Sequence, residues 1–200
     1  SSDVCSSDLT RNAVHVITTF DSGGSSAELR RAFDMPAVGD IRARIMALAD
    51  RSLEGNSETV ELLGYRLPKD AGPEALHREL ASLASGAHPL VAAIPEPMNE
   101  VVTQHLSAFR SLMPVDMDLA GASIGNLILT SGYLSLDRQL EPVVRVFSGM
   151  VQARGVVMPV ADSCAHLCVR LENGEVIVGQ HRFTGKTATA ITSPILDMWL

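Results

Sequence analysis

Apolar positions along the chain fall into three regimes. Ala13 to Thr18 (AVHVIT) is a short, β-branched apolar run, the pattern of a buried strand. From Ala27 to Met150 apolar residues recur at three- and four-residue spacing, which predicts helices over Ala27–Phe33, Ile41–Arg51, Thr59–Tyr65, Glu74–Leu83 and Met98–Met113, then one ending at Leu134 and one over Leu136–Met150. Ser25 or Ser26 is expected to cap the first of these and Asp40 the second, with Pro73 at the first turn of the fourth. His88 to Pro97 carries three prolines and reads as an extended crossing or a loop. Beyond Val156 the period shortens. Val156–Val160 alternates like a strand, and Leu167–Leu171 and Glu175–Gln180 flank Asn173-Gly174, a strong hairpin signal. Strand, helices, then a β-rich segment predict one α/β domain with an antiparallel β-hairpin excursion near the C-terminus.

Composition narrows the function classes. Of 200 residues, 46% are apolar and 20% charged, the balance of a globular domain, and no apolar run reaches the length of a membrane span. A formal charge of −7 argues against a phosphate-backbone binder, and 4% aromatics against a base-stacking platform. Neither nucleic acid nor membrane is expected as a partner. Ser1–Leu9 (SSDVCSSDL) has no apolar period, basic region or hydrophobic core. It reads as a translated sequencing adapter or a disordered leader, with residues 10–200 as the domain. Setting it aside removes Asp3 and Asp8, taking the formal charge from −7 to −5, and removes Cys5. The two remaining cysteines, Cys164 and Cys168, fit a reducing cytoplasm. Pro194–Leu200 ends on apolar residues, as if docking on something or cut from a longer chain.

Two glycine loops carry the candidate chemistry. Asp21-Ser22-Gly23-Gly24-Ser25-Ser26 lies between a strand and a helix, where unpaired helix N–H groups favour an anion and bare glycines admit close approach. Asp21, at the strand's carboxyl end, suits a metal or a sugar hydroxyl. Gly121-Ala122-Ser123-Ile124-Gly125-Asn126 has the same build. Ligands of open α/β sheets bind outside the carboxyl ends of the strands, so the two loops are expected to cradle one pyrophosphate together.

VITTFDSGGSSAELR, PAVGDIRARIMALAD, AGASIGNLIL, RGVVMP and ENGEVIVG, in that order, resemble the CofD-like family, which includes 2-phospho-L-lactate transferase and the YvcK-type gluconeogenesis factors. The resemblance runs from about Val14 to about Gln180, and the sub-branch most resembled is the one beside ATP-grasp proteins in GAK-system gene clusters. It implies a Rossmann-like layered fold and transfer of a phospholactyl group from a nucleotide-diphosphate-activated substrate to a hydroxyl, with Mg²⁺. The alternative it implies is a non-catalytic regulator that binds a nucleotide sugar. Self-association is left open. Asp21, Gly23, Gly24, Ser25 and Ser26 match the family's D-D-G-G-S-S, with Ser22 in place of the second acid. Gly39, Asp40, Ile41 and Arg42 match G-D-I-R; Gly121, Ser123, Gly125 and Asn126 match G-H-S-x-G-N, with Ala122 in place of the histidine. Asp21 and Asp40 are thereby expected to be catalytic and Asp21 the metal ligand. Gly23, Gly24, Ser25, Ser26, Arg42, Gly121, Ser123, Gly125 and Asn126 are expected to bind substrate. The family's G-G-T-G and G-P-G-S segments are expected before Val14 and after Leu200, so the chain as given is expected to be an inactive fragment. Cys164, His166, Cys168 and His181 crowd the hairpin and suggest zinc as an alternative, since the first three share strand parity; the spacing is not a CxxC pair, and the thiols read instead as buried apolar side chains. Arg30 and Arg31 are phosphate-clamp candidates, one of them facing solvent.

Overall fold

The computed structural model describes residues 12–182, 191 and 193–200; the leader Ser1–Leu9 lies outside the described residues. Strand β1 (Val14–Ile17) pairs in parallel with β2 (Val156–Pro159), Val14 opposite Val156 and Ile17 opposite Pro159. A parallel pair needs a crossover, and here it consists of eight helices. They are α1 (Gly24–Phe33), α2 (Gly39–Leu48), α3 (Asn56–Gly64), α4 (Pro73–Ala84), α5 (Pro89–Ala92), α6 (Met98–Leu112), α7 (Ile124–Ser135) and α8 (Leu140–Met150). A separate antiparallel sheet follows, ordered β4 (Val176–Val178), β3 (Cys168–Leu171), β5 (Ile195–Trp199). The α/β class and the C-terminal antiparallel excursion are as the patterning predicts.

The core belongs to the helices. Helix α7 is buried from Ile124 through Tyr133 on every side, serine, threonine and asparagine included. An apolar helix without a polar stripe has to be central, and α6, α3, α8, α2 and α1 pack around it. Phe33 and Phe109, 5.9 Å apart and edge-on, tie α1 to α6.

Four boundary expectations need correction. Helix α1 starts at Gly24 with Gly23 as its N-cap, so neither Ser25 nor Ser26 caps it. Helix α2 starts at Gly39 with Val38 as its N-cap, which puts Asp40 inside the first turn, where its charge meets the helix dipole instead of capping an amide. The proline-rich stretch contains the short helix α5: Pro89 occupies a first-turn position that needs no N–H, and His88 Nδ1 accepts from the Leu90 N–H at 3.2 Å. Leu136–Met150 is not one helix, because Asp137 and Arg138 take left-handed backbone (φ 51° and 59°) and separate α7 from α8.

The hairpin forms where Asn173-Gly174 predicts it, with Gly174 at φ 87° and Asn173 Oδ1 accepting from the Glu175 N–H at 3.0 Å. The apolar C-terminus docks through its backbone: β5 adds to β3 on the side opposite β4. Its side chains gain little cover, and Ile195, Leu196 and Met198 stay exposed. Arg170 lies over the Trp199 ring at 5.4 Å.

Candidate functional site

Three helix N-termini meet at the end of β1. The β1–α1 loop carries Asp21 to Ser26, the start of α2 carries Gly39 to Arg42, and the turn into α7 carries Gly121 to Asn126. None of the three N-caps, Gly23, Val38 and Ser123, makes a side-chain capping bond, though the first amide of α7, Ile124 N–H, donates to the Tyr65 carbonyl at 3.0 Å.

The two glycine loops are joined directly. Ser25 Oγ accepts from Asn126 Nδ2 at 3.2 Å and from Arg66 Nη1 at 3.3 Å, and the same Arg66 nitrogen donates to the Gly121 carbonyl at 3.1 Å. Arg42 Nη1 reaches Ser123 Oγ at 2.5 Å. Gly39 sits at the junction: a Cβ there would lie 2.7 Å from Ser26 Oγ, 3.9 Å from Asn126 Nδ2 and 4.0 Å from Asp21 Oδ2. Gly125 is equally constrained, since a Cβ would fall 2.6 Å from the Leu63 carbonyl and 2.8 Å from Arg42 Cδ. Gly24 and Gly121 are needed for another reason, φ of +55° and +68°. Asp21 folds back on its own loop, Oδ1 accepting from the Gly23 N–H at 3.0 Å.

Like charges are crowded together at the site. Loss of hydration pushes the Asp40 carboxyl up, and the Asp21 carboxylate pushes it further, against the pull of Arg42. Loss of hydration and the neighbouring Arg66 both work against the Arg42 charge, which Asp40 supports. Two buried polar atoms, Arg42 Nε and Asn126 Oδ1, have no hydrogen-bond partner. Two like-charged pairs and two unspent buried atoms form an arrangement that an anion and a cation together would complete. A cavity of about 440 Å³ adjoins it, running from Asp40 along Ala43, Arg44 and Ala47 to Val16–Thr18 at the carboxyl end of β1.

The structure brings every sequence-predicted site residue into this one region: Asp21, Gly23, Gly24, Ser25 and Ser26 on the first loop, Asp40 and Arg42 on α2, and Gly121, Ser123, Gly125 and Asn126 at α7. Arg66 escaped the sequence reading. It lies just past α3 in a bridge to Ser123, a contact that no local pattern announces. Of the clamp candidates, Arg31 faces solvent and pairs with Glu28 at 2.6 Å. Arg30 is buried and structural, donating to the Asp21 carbonyl at 3.1 Å and the Ala165 carbonyl at 2.6 Å. Its guanidinium lies 3.6 Å from Cys164 Sγ and 3.5 Å from the His166 ring, a cation where a zinc ion would need to be. Among the described residues no three His, Cys, Asp or Glu side chains cluster as metal ligands.

Comparison with known proteins shows what the chain as a whole is similar to. A putative gluconeogenesis factor of Thermotoga maritima is 23% identical over 172 residues, 86% of this chain and 38% of that protein. The gluconeogenesis factor of Bacillus subtilis is 26% identical over 82% of this chain and 36% of its own length. An uncharacterized protein of Saccharomyces cerevisiae is 31% identical over 85% of this chain and 39% of itself. The chain therefore spans well under half the length of these relatives. A solved Bacillus halodurans structure shares the fold, with a TM-score of 0.57 at 21% identity, covering 92% of this chain and 44% of that one. The family model described as 2-phospho-L-lactate transferase CofD matches residues 5–200, and the chain belongs to that family.

Proposed function

We propose that this chain supplies the pyrophosphate-holding part of a CofD-like transferase, which takes a nucleotide-diphosphate-activated substrate and moves a phospholactyl-type group onto a hydroxyl acceptor. One observation carries the reading: Arg42 and Arg66, cations that disfavour each other, are held at the glycine loops, Arg42 by Ser123 and Arg66 by Ser25 and Gly121, and Arg42 Nε is buried without a partner. A diphosphate would relieve that repulsion, take the free N–H and meet the amides at the starts of α1 and α2. Catalysis would consist of positioning and charge neutralisation, with the donors fixed before the ligand arrives.

Mg²⁺ fits the carboxylates in the form this ion prefers, one or two acids with the remainder from phosphate and water. Asp21 would hold it with Asp40 beside it, and the ion would neutralise charge on the phosphates when bound. Asp21 and Asp40 repel each other as they stand, the condition a divalent cation resolves. The cytoplasm is the compartment we assign, and we assign neither a nucleic acid nor a membrane partner. Self-association would be read by sizing the full-length protein.

The second reading, a nucleotide-sugar-binding regulator, is favoured by Ser22 and Ala122, which stand where the family pattern has an acid and an imidazole. Guanosine and uridine diphosphate panels with the full-length protein, with and without Mg²⁺, separate the two. Turnover with any hydroxyl acceptor supports transfer, and tight binding without turnover selects the regulator. Asp21→Asn is expected to weaken Mg²⁺-dependent binding about tenfold or more; unchanged affinity would remove the role given to Asp21.

A further inference from the structure

His181 follows β4 in a single turn of 3₁₀ helix, Gln180–Arg182, and reaches back across the whole sequence to the first loop. Its Nδ1 lies 2.6 Å from Ser22 Oγ, and its backbone N–H donates to the same oxygen at 3.3 Å. Two glycines make the approach possible. A Cβ on Gly179, whose φ is +98°, would stand 3.1 Å from the His181 ring and 3.2 Å from Ser22 Oγ; one on Gly23 would stand 3.5 Å from His181 Cβ. Ser22 is half-buried, in the turn between a strand and a helix, one residue after Asp21 and just before the open amides of α1. A hydroxyl in hydrogen-bond contact with an imidazole, at a strand–turn–helix junction beside anion-binding amides, has the parts of an activated nucleophile and its base.

We propose that Ser22 is a nucleophile activated by His181, acting on the phosphorus of the ligand held by the two loops. The inference rests on the pyrophosphate reading for its substrate. In the first step a bond forms between Ser22 Oγ and the phosphorus that carries the organic group. The anhydride P–O bond breaks, the nucleoside monophosphate leaves, and the serine proton passes to His181 Nδ1. In the second, an acceptor alcohol attacks the same phosphorus, the Ser22 Oγ–P bond breaks, the imidazolium returns its proton to Ser22 Oγ, and the alcohol's proton goes to solvent. One proton is released overall. The position that lacks the family's second acid thus gains a different chemistry from a histidine at the far end of the chain.

The test uses a fluorophosphonate probe on the full chain. There Ser22 Oγ displaces fluoride from phosphorus and His181 takes the serine proton. Ser22 is expected to carry the label, and Ser22→Ala to lose it. His181→Gln is expected to slow labelling about 100-fold while melting temperature and circular dichroism stay unchanged. The wild-type rate is expected to fall about twofold in D₂O, as a proton passing from the hydroxyl to the imidazole in the slow step requires. This isotope effect is absent from His181→Gln, which separates a base from a mere clip. Label elsewhere than Ser22 in the folded protein, or equal rates with and without His181, overturns the proposal. GDP binding by the same proteins reports on the pyrophosphate reading alone. Label without GDP binding sinks that reading and leaves the activated serine standing. GDP binding without label sinks the serine.

Discussion

The two glycine loops look alike in sequence and are opposites in the fold. The Gly121–Asn126 loop is buried throughout and opens the most central helix. The Asp21–Ser26 loop is half-open, with Gly24 exposed and no atom within 4 Å of where its Cβ would be. In the first, small residues let a backbone carbonyl and an arginine stem come close; in the second, they leave room in front of the amides. The same signature therefore builds a wall in one place and an opening in the other.

Gly125→Val should break the wall. Its Cβ would meet the Leu63 carbonyl, which cannot move without α3, so the expected cost is about 3 kcal/mol, read as a melting temperature lower by roughly 6–12 °C. Arg66→Ala cuts the tie between the loops from the exposed side. Stability should move by under about 0.5 kcal/mol while GDP affinity falls about tenfold. Loss of stability without loss of affinity would make Arg66 a strut only. Gly24→Ala probes the opening: there is space for the methyl group but the left-handed backbone opposes it, so about 1 kcal/mol is expected in denaturant melts.

The smallest effect is one of pH. The Asp40 carboxyl is raised, so its neutral form is the one favoured in the fold. The stability it contributes is present at low pH and is lost as pH rises through its titration. Ionised Asp40 adds a second negative charge beside Asp21. GDP affinity without Mg²⁺ should then fall by about threefold across that range, and Mg²⁺ should abolish the fall. A fall that persists in Asp40→Asn would assign it to another group.

What the sequence made legible is what is local. The β1 strand, the Asn173-Gly174 hairpin and most helix cores follow from period and turn chemistry, since each depends on residues a few positions apart. The chain starts of α1 and α2 were misplaced because serine and aspartate resemble caps, whereas the backbone enters each helix earlier, at glycine. The separation of α7 from α8 depends on left-handed Asp137 and Arg138, residue types that tolerate such backbone without requiring it. At the site, both loops were legible from glycine spacing, yet their junction was not. Arg66 to Ser25 and His181 to Ser22 are contacts between distant segments, and His181 read alone suggested packing or a metal. Arg30 posed the reverse problem: an arginine beside a candidate phosphate loop turned out to be spent on carbonyls beneath it.

The parallel pair sets an order of events for the growing chain. Val14–Ile17 leaves the ribosome before its partner, Val156–Pro159, which comes after all eight crossover helices. Closing so wide a span costs entropy that only the assembled helices can offset. The helical layer must therefore consolidate while the leading strand is still single, and the pocket at its end takes shape only when that strand is finally joined.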